Sequence, residues 1–123
     1  MVSRFCVAAA VVGSLVVFST YALGAEWTKR GEYIFNVAGC NLCHTDIETN
    51  GPALAGQRAL VTPFGSFFST NITPDLTHGI GSWSQADFVR AMRQGKSPNG
   101  TLYFPSFPYP SFTLMSDEDI SDL

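Results

Sequence analysis

The sequence predicts a small all-α domain with about three helices and two long loops. Three stretches show the apolar spacing or the capping residues of helices, whereas the loops lack the alternation of apolar and polar residues that indicates a strand. The loops, residues 45–83 and 96–115, contain all seven prolines and most of the glycines. Loops of this length are usually functional, so we expect them to wrap around a bound group.

The first two helices are predicted from apolar spacing and from capping residues. The first covers residues 27–37 and runs into Gly39, a stop signal. The second begins after Ser84, which can form a capping box with Asp87, and it ends at Gly95. The apolar face of the first helix carries Tyr33, Ile34 and Val37.

The third helix is predicted to begin after Ser116, with Asp119 three residues later. Acidic Asp117 and Glu118 lie in its first turn, where the helix dipole favours negative charge. A helix that stops at Leu123 has barely two turns, which is too short to be stable alone. We therefore expect that this C-terminal helix is truncated and that the natural protein continues.

The N-terminus has the pattern of a secretory signal peptide. Arg4 precedes an apolar run over residues 5–18, and small residues follow at 22–24. We expect residues 1–24 to be removed on export to the periplasm, which leaves a domain over residues 25–123. The alternative is an uncleaved anchor, although a bilayer requires about 20 apolar residues and this run is shorter.

The charge and cysteine content of the exported domain restrict its function. The sequence has seven Lys and Arg against ten Asp and Glu, and removal of Arg4 leaves six basic residues. This acidic balance argues against nucleic-acid binding and provides no polybasic patch for anionic lipid. Cys6 leaves with the signal, and Cys40 and Cys43 are too close for a stabilising disulfide loop. A bound cofactor is the better source of stability for so small a domain.

Cys40, Cys43 and His44 form a C-x-x-C-H motif, the attachment signature of haem c. Two thiols at this spacing can form thioethers to one side of a porphyrin, and His44 can then bind the iron as proximal ligand. A zinc site would need four ligands, and a dithiol redox centre would follow a strand. The motif therefore predicts one covalent haem c. Aromatic residues of the second loop can cover it, namely Tyr103, Phe104, Phe107, Tyr109 and Phe112.

The sixth iron ligand has three candidates in the exported domain. Met115 follows the aromatic loop and directly precedes the last helix, so the loop can return its sulfur to the iron, and we favour it. Met92 lies on the apolar face of the second helix, which favours a role in the core. His78 lies in a glycine-flanked loop, and an open coordination position is the remaining alternative.

Several blocks of sequence resemble one family of electron carriers. These blocks are residues 62–65 (TPFG), 69–75 (STNITPD), 79–83 (GIGSW), 87–93 (DFVRAMR), 102–103 (LY) and 107–109 (FPY). They resemble the single-haem modules of the cytochrome c subunits that serve bacterial membrane-bound alcohol, gluconate and aldehyde dehydrogenases. The resemblance implies a class I cytochrome c fold. It also implies electron relay from a dehydrogenase to quinone, an oxidase or another cytochrome in the respiratory chain.

The chain departs from the family pattern in ways that bear on the ligand and the domain. Family modules often carry methionine where this chain has Phe107, and this difference favours Met115. They often occur as two or three modules in one chain, whereas this sequence has one. They also continue the last helix with an aromatic segment that is missing here. Asn71 and Trp83, within the matching blocks, are candidates for the haem edge near the propionates, although Asn71 can equally satisfy turn backbone groups.

The predicted function is single-electron transfer, without a substrate site and without enzymatic activity of its own. Membrane association is expected only through partners, and an acidic carrier suits a donor or acceptor with a basic docking patch. The alternative is a haem enzyme or gas sensor with an open sixth position on the iron.

Overall fold

The computed structural model describes residues 29–123. The predicted signal peptide and the first residues of the first predicted helix lie outside this range. Within it the chain forms five short helices and one two-stranded sheet. The elements are α1 (residues 29–38), α2 (Cys40–His44), β1 (Ala59–Thr62), β2 (Gly65–Phe68), α3 (Gln85–Gln94), α4 (Tyr109–Phe112) and α5 (Asp117–Asp122).

A glycine separates the first predicted helix from the cysteine motif. Gly39 has a φ of 69°, in the left-handed region that costs any other residue energy. The helix therefore ends before this residue, and the chain starts a new turn of helix at Cys40. As a result Cys40, Cys43 and His44 share a short helix of their own.

Helix α3 confirms the prediction from capping residues. The Ser84 hydroxyl accepts a hydrogen bond from the Asp87 backbone N–H, and the Asp87 carboxylate accepts one from the Ser84 N–H, at 3.2 and 3.0 Å. At the other end Gly95 has a φ of 62°, and its N–H donates to the Ala91 carbonyl. These contacts set both ends of the helix that carries buried Ala91 and Met92.

The C-terminal region contains one predicted helix and one that we did not predict. Helix α5 follows Ser116, whose hydroxyl accepts from the Asp119 N–H at 3.0 Å. Helix α4 is a single turn within the aromatic loop, with Pro110 in its first turn, where a missing N–H is tolerated. It packs on α3, and the Tyr109 ring lies so close to Gly95 that a Cβ there would be 2.5 Å from Cδ1.

The prediction of an all-α domain is wrong in one segment, because the first long loop contains a β-hairpin. Strands β1 and β2 pair antiparallel, with Ala59 opposite Phe68 and Thr62 opposite Gly65. Every second residue of β1 is half-buried, but the exposed positions carry Ala59 and Val61. Because Ala59, Leu60 and Val61 are all apolar, the sequence shows no alternation of polar and apolar residues that would indicate a strand.

Helices α1 and α5 contact each other at the two ends of the described chain. A Cβ on Gly31 would lie 1.9 Å from the Asp122 carbonyl oxygen, so glycine is required for this approach. Arg30 forms ion pairs with Glu118 at 2.6 Å and with Asp119 at 2.5 Å, and it lies 3.2 Å from Asp122. Within residues 29–123, no helix is both long enough and apolar enough to span a bilayer.

Candidate haem site

Helix α2 brings the two thiols of the motif to one face. Cys40 and Cys43 are three residues apart on the helix, and both are half-buried free thiols. Burial raises the pKa of the Cys40 thiol above its usual value, and the neighbouring Cys43 adds to this effect. The two thiols are therefore adjacent but not joined by a disulfide bond. Two thioether bonds to one porphyrin require thiols in this free state.

His44 has a defined orientation and a defined tautomer. Its Nδ1 lies 2.7 Å from the backbone carbonyl oxygen of Thr70. A carbonyl oxygen can only accept a hydrogen bond, so Nδ1 carries the proton, and Nε2 of the neutral ring keeps its lone pair. Histidine ligands of metals usually donate their second ring N–H in this way. The Nε2 atom is therefore the one available to bind iron.

The backbone around α2 is held by contacts from the first long loop. The Gly56 N–H donates to the His44 carbonyl at 2.8 Å. The Thr45 hydroxyl donates to Asn41 Oδ1 at 2.6 Å and accepts from the Leu54 N–H at 2.9 Å. The C-terminal end of α2 is therefore held both by its own Asn41 side chain and by backbone groups of the first long loop.

Arg58 links the hairpin to the motif, a contact that we did not predict. Its guanidinium donates a hydrogen bond to the Leu42 carbonyl within α2. The acceptor is a backbone atom 16 residues away, so no pairing of side-chain types in the sequence indicates it. Hydrogen bonds between Arg58 and Ser69 then place Thr70 opposite His44. The base of the hairpin thus orients the histidine.

Within residues 29–123, the side-chain hydrogen bonds of Asn71 and the cavity that Trp83 lines do not involve side chains of α2. Asn71 Oδ1 accepts from the Thr73 N–H at 2.8 Å and from the Thr73 hydroxyl at 2.7 Å, which is the turn role. Trp83 lines a cavity of about 250 Å³ whose other lining residues belong to α3, α5 and nearby positions, with none from α2. Their placement at the haem edge stays a prediction.

The three candidates for sixth ligand lie in different environments. Met92 lies on α3 and is buried in the hydrophobic core, where its side chain contributes to packing. The His78 side chain is 80% exposed and lies near Asp75, whose carboxylate accepts the His78 backbone N–H. Met115 is half-buried in the connection between α4 and α5. Met115 as the sixth ligand stays a prediction.

The aromatic loop forms a cluster centred on Phe107. Its ring lies 5.8 Å from that of Tyr103, 6.4 Å from that of Tyr109 and 5.9 Å from that of Phe112, measured between centroids. Phe104 instead stacks on Phe67 of the hairpin at 3.8 Å, which joins the two long loops. Partial burial raises the pKa of the Tyr103 hydroxyl. The cluster therefore offers apolar, half-exposed ring surface rather than a closed core.

The burial pattern of the described residues fits a large apolar prosthetic group. Within residues 29–123 the buried hydrophobic side chains are Ala91, Met92 and Ile120. Burial of a side chain the size of Met or Ile contributes roughly 1.5–3 kcal/mol, so two such residues and an alanine give a domain little stability. Many large apolar side chains are exposed, including Tyr33, Val37, Leu42, Ile47, Val61, Phe64, Phe68, Leu76, Leu102 and Leu114. A porphyrin attached to α2 gives such side chains a surface to cover.

Comparison with known proteins finds cytochrome c relatives. The chain is 45% identical over 95 residues to the gluconate 2-dehydrogenase cytochrome c subunit of Pantoea cypripedii, a match that covers 77% of this chain and 21% of the relative. It is 45% identical over 98 residues to a diheme cytochrome c-type protein of Cereibacter sphaeroides, covering 77% of this chain and 33% of the relative. No family model matches the chain.

A third relative extends the same group. The cytochrome c subunit of a quinone-dependent alcohol dehydrogenase from Gluconobacter oxydans is 44% identical over 92 residues, covering 75% of this chain and 19% of the subunit. The chain thus spans a third or less of the length of these relatives. The resemblance inferred from the sequence blocks is confirmed: the chain is related over about three quarters of its length to the cytochrome c subunits of bacterial gluconate and alcohol dehydrogenases.

Proposed function

We propose that this chain is an electron-transfer module that carries one haem c and passes single electrons. The observation that carries the proposal is the hydrogen bond from His44 Nδ1 to the Thr70 carbonyl. It leaves Nε2 free on the helix that also carries both thiols, so all three groups of the motif are oriented together. The motif occurs once in the sequence, which supports a single haem.

The residues of the chain have separate tasks in this proposal. Cys40 and Cys43 would tether the porphyrin, and His44 and Met115 would bind its iron. The bound haem supplies a one-electron couple, whose potential a methionine ligand raises relative to a second histidine. The aromatic cluster around Phe107 keeps water from the apolar ring. None of these tasks requires a substrate site, so we propose an electron-transfer subunit rather than an enzyme.

We propose a dehydrogenase as electron donor and a quinone, an oxidase or another cytochrome as acceptor. The names of the relatives support the donor, because they are cytochrome subunits of dehydrogenases. The signal-peptide pattern over residues 1–24 supports a periplasmic location, with membrane association through partners. The fold proposed for the holoprotein is a small class I cytochrome c with the hairpin as an addition to its helices.

Absorption spectroscopy of the purified holoprotein tests the proposal. A six-coordinate, low-spin spectrum with the weak sulfur-to-iron band of the ferric form is expected. A high-spin ferric spectrum would instead identify an open sixth position, and the alternative of a haem enzyme or gas sensor would replace the electron carrier.

A further inference from the structure

Arg93 makes three contacts with the connection between α4 and α5. Its Nη1 donates to the Thr113 carbonyl at 2.7 Å, and its Nη2 donates to the Met115 carbonyl at 2.9 Å. Nη2 also contacts Asp117 Oδ1 at 2.6 Å, and the arginine side chain is only 27% exposed. One guanidinium therefore binds both carbonyls that flank Leu114, together with the first residue of α5.

The other hydrogen bonds recorded for this connection within residues 29–123 are local. The Thr113 hydroxyl donates to the Pro110 carbonyl at 2.8 Å, and the Met115 N–H donates to the Phe112 carbonyl at 3.2 Å. Both close a single turn and leave that turn free to move as a unit. Arg93 lies on α3, more than 20 residues away in sequence from Met115, so its bonds tie the turn to a helix that is capped at both ends.

We propose that Arg93 is a positioning residue for the sixth ligand, holding the Met115 backbone so that its sulfur stays within reach of the iron. The inference rests on the proposed function and deepens it. A thioether is a neutral ligand with no charge to draw it to the metal, so its binding depends on preorganisation of the loop that carries it. The side chain of Leu114 is 95% exposed, whereas that of Met115 is half-buried. The hydrogen bonds from Arg93 to the Thr113 and Met115 carbonyls therefore hold the backbone segment that carries the Met115 sulfur.

The geometry requires arginine rather than any cation. The guanidinium presents two donors in a planar fork, which reach two carbonyl oxygens at once. A lysine ammonium is a point charge on a flexible stem, and it can replace only part of this arrangement. The bond between the Met115 sulfur and the iron is therefore expected to be most stable with arginine at position 93, less stable with lysine and least stable with a neutral residue.

Competition by imidazole for the ferric holoprotein tests the inference. Imidazole nitrogen replaces the methionine sulfur on the iron without transfer of an electron, so its apparent affinity rises with the fraction of molecules whose sulfur has left. We expect Arg93→Gln to bind imidazole roughly tenfold more tightly than the parent and to show a weaker sulfur-to-iron band. Arg93→Lys is expected to fall between the two.

Arg90 provides the matched control on the same helix. It forms an ion pair with Asp87, one turn away, so Arg90→Gln removes an α3 arginine without touching the α4–α5 connection. We expect this variant to bind imidazole as the parent does. Asp117→Asn tests the ion pair separately, and we expect little change because the Asp117 side chain is 95% exposed. If Asp117→Asn binds imidazole as tightly as Arg93→Gln does, the ion pair rather than the carbonyl contacts positions Met115, and the inference is overturned.

Failure of the inference differs from failure of the proposed function. A parent protein without the sulfur-to-iron band, or a band that survives Met115→Ala, refutes Met115 as ligand. A parent band that Met115→Ala abolishes, together with parental imidazole affinity in Arg93→Gln, refutes only the role of Arg93. Thioether-linked haem stays on the chain in a destabilised variant, and circular dichroism then separates loss of fold from loss of the ligand.

Discussion

At the scale of single residues, the site depends on which atoms the backbone offers to side chains. His44 Nδ1 donates its proton to the Thr70 carbonyl oxygen, which can only accept, so Nε2 stays available to bind iron. Arg58 and Arg93 likewise bind carbonyls, those of Leu42, Thr113 and Met115. The chemistry of the site is therefore distributed between motif side chains and backbone groups of the two long loops.

The assignment of the sixth ligand can be tested by paired methionine substitutions. Met115→Ala is expected to abolish the sulfur-to-iron band with the haem still attached, because it removes the sulfur but not the thiols. Met92→Ala is expected to keep the band and to reduce the free energy of unfolding by about 2–5 kcal/mol, since it leaves a cavity beside α3. Absorption spectra and denaturant titrations measure both effects, and loss of the band in Met92→Ala alone would reverse the assignment.

At the scale of residues, the sequence indicates side-chain types that recur at fixed spacing, but it does not indicate contacts whose partner is a distant backbone atom. The positions of Cys40, Cys43 and His44 on one turn of helix follow from the spacing of the motif. Arg93 binds the carbonyls of Thr113 and Met115 in the α4–α5 connection, contacts that we did not predict. No local pattern indicates such contacts, because they depend on how distant segments pack.

At the scale of elements, both ends of α3 follow from local residue types. The Ser84–Asp87 capping box and the left-handed Gly95 were predicted from residue types, since both act within one turn of helix. The hairpin and α4 were missed because their positions depend on packing. The hairpin stacks Phe67 on Phe104, and α4 places Tyr109 on Gly95, contacts between segments far apart in sequence.

Removal of the α3 cap is expected to weaken the domain modestly. Ser84→Ala deletes the hydroxyl that accepts the Asp87 N–H, and loss of such a cap costs about 1 kcal/mol. The measurement is the free energy of unfolding of the holoprotein in denaturant. Ser82→Ala, in the exposed turn before the helix, is the control. Equal stability of Ser84→Ala and the parent would show that the cap contributes nothing.

The contact between α1 and α5 is expected to depend on glycine at position 31. The new Cβ in Gly31→Ala would lie 1.9 Å from the Asp122 carbonyl oxygen, so the helices must separate, at a cost of roughly 1–3 kcal/mol. Thermal unfolding measures the effect. Glu32→Ala, at the next and exposed position, serves as control, and a Gly31→Ala variant as stable as this control would contradict the close approach.

At the scale of the whole molecule, the Arg30 ion pairs predict a loss of stability in acid. The hydrogen bond from Arg30 holds the pKa of Asp119 below its usual value, with a further contribution from the Ser116 hydroxyl. A carboxylate with a lowered folded pKa stabilises the fold above its unfolded pKa of about 3.9, and this contribution disappears as the pH falls through the folded pKa.

Asp119→Asn is therefore expected to be less stable than the parent near neutral pH, with a smaller further loss of stability in acid. The measurement is the thermal midpoint across a pH series from about 7 to about 2. Glu118→Gln, whose side chain is 72% exposed, provides the control and should follow the parent curve. Parallel curves for Asp119→Asn and the parent would rule out this ion pair as a source of the pH dependence.

Within residues 29–123, many large apolar side chains are exposed and few are buried. This balance was predictable from the sequence, because a domain of this length with a single cysteine pair lacks other means of stabilisation. The stacking of the hairpin on the aromatic loop was not predictable, because Phe67 and Phe104 are far apart in sequence. Covalent attachment of haem is therefore the central claim about this protein.

Acid–acetone extraction of protein exported in a host that matures c-type cytochromes tests that claim most directly. We predict that the colour stays with the polypeptide and that the double substitution Cys40→Ser with Cys43→Ser releases it. A colourless parent protein that still unfolds cooperatively would contradict the account.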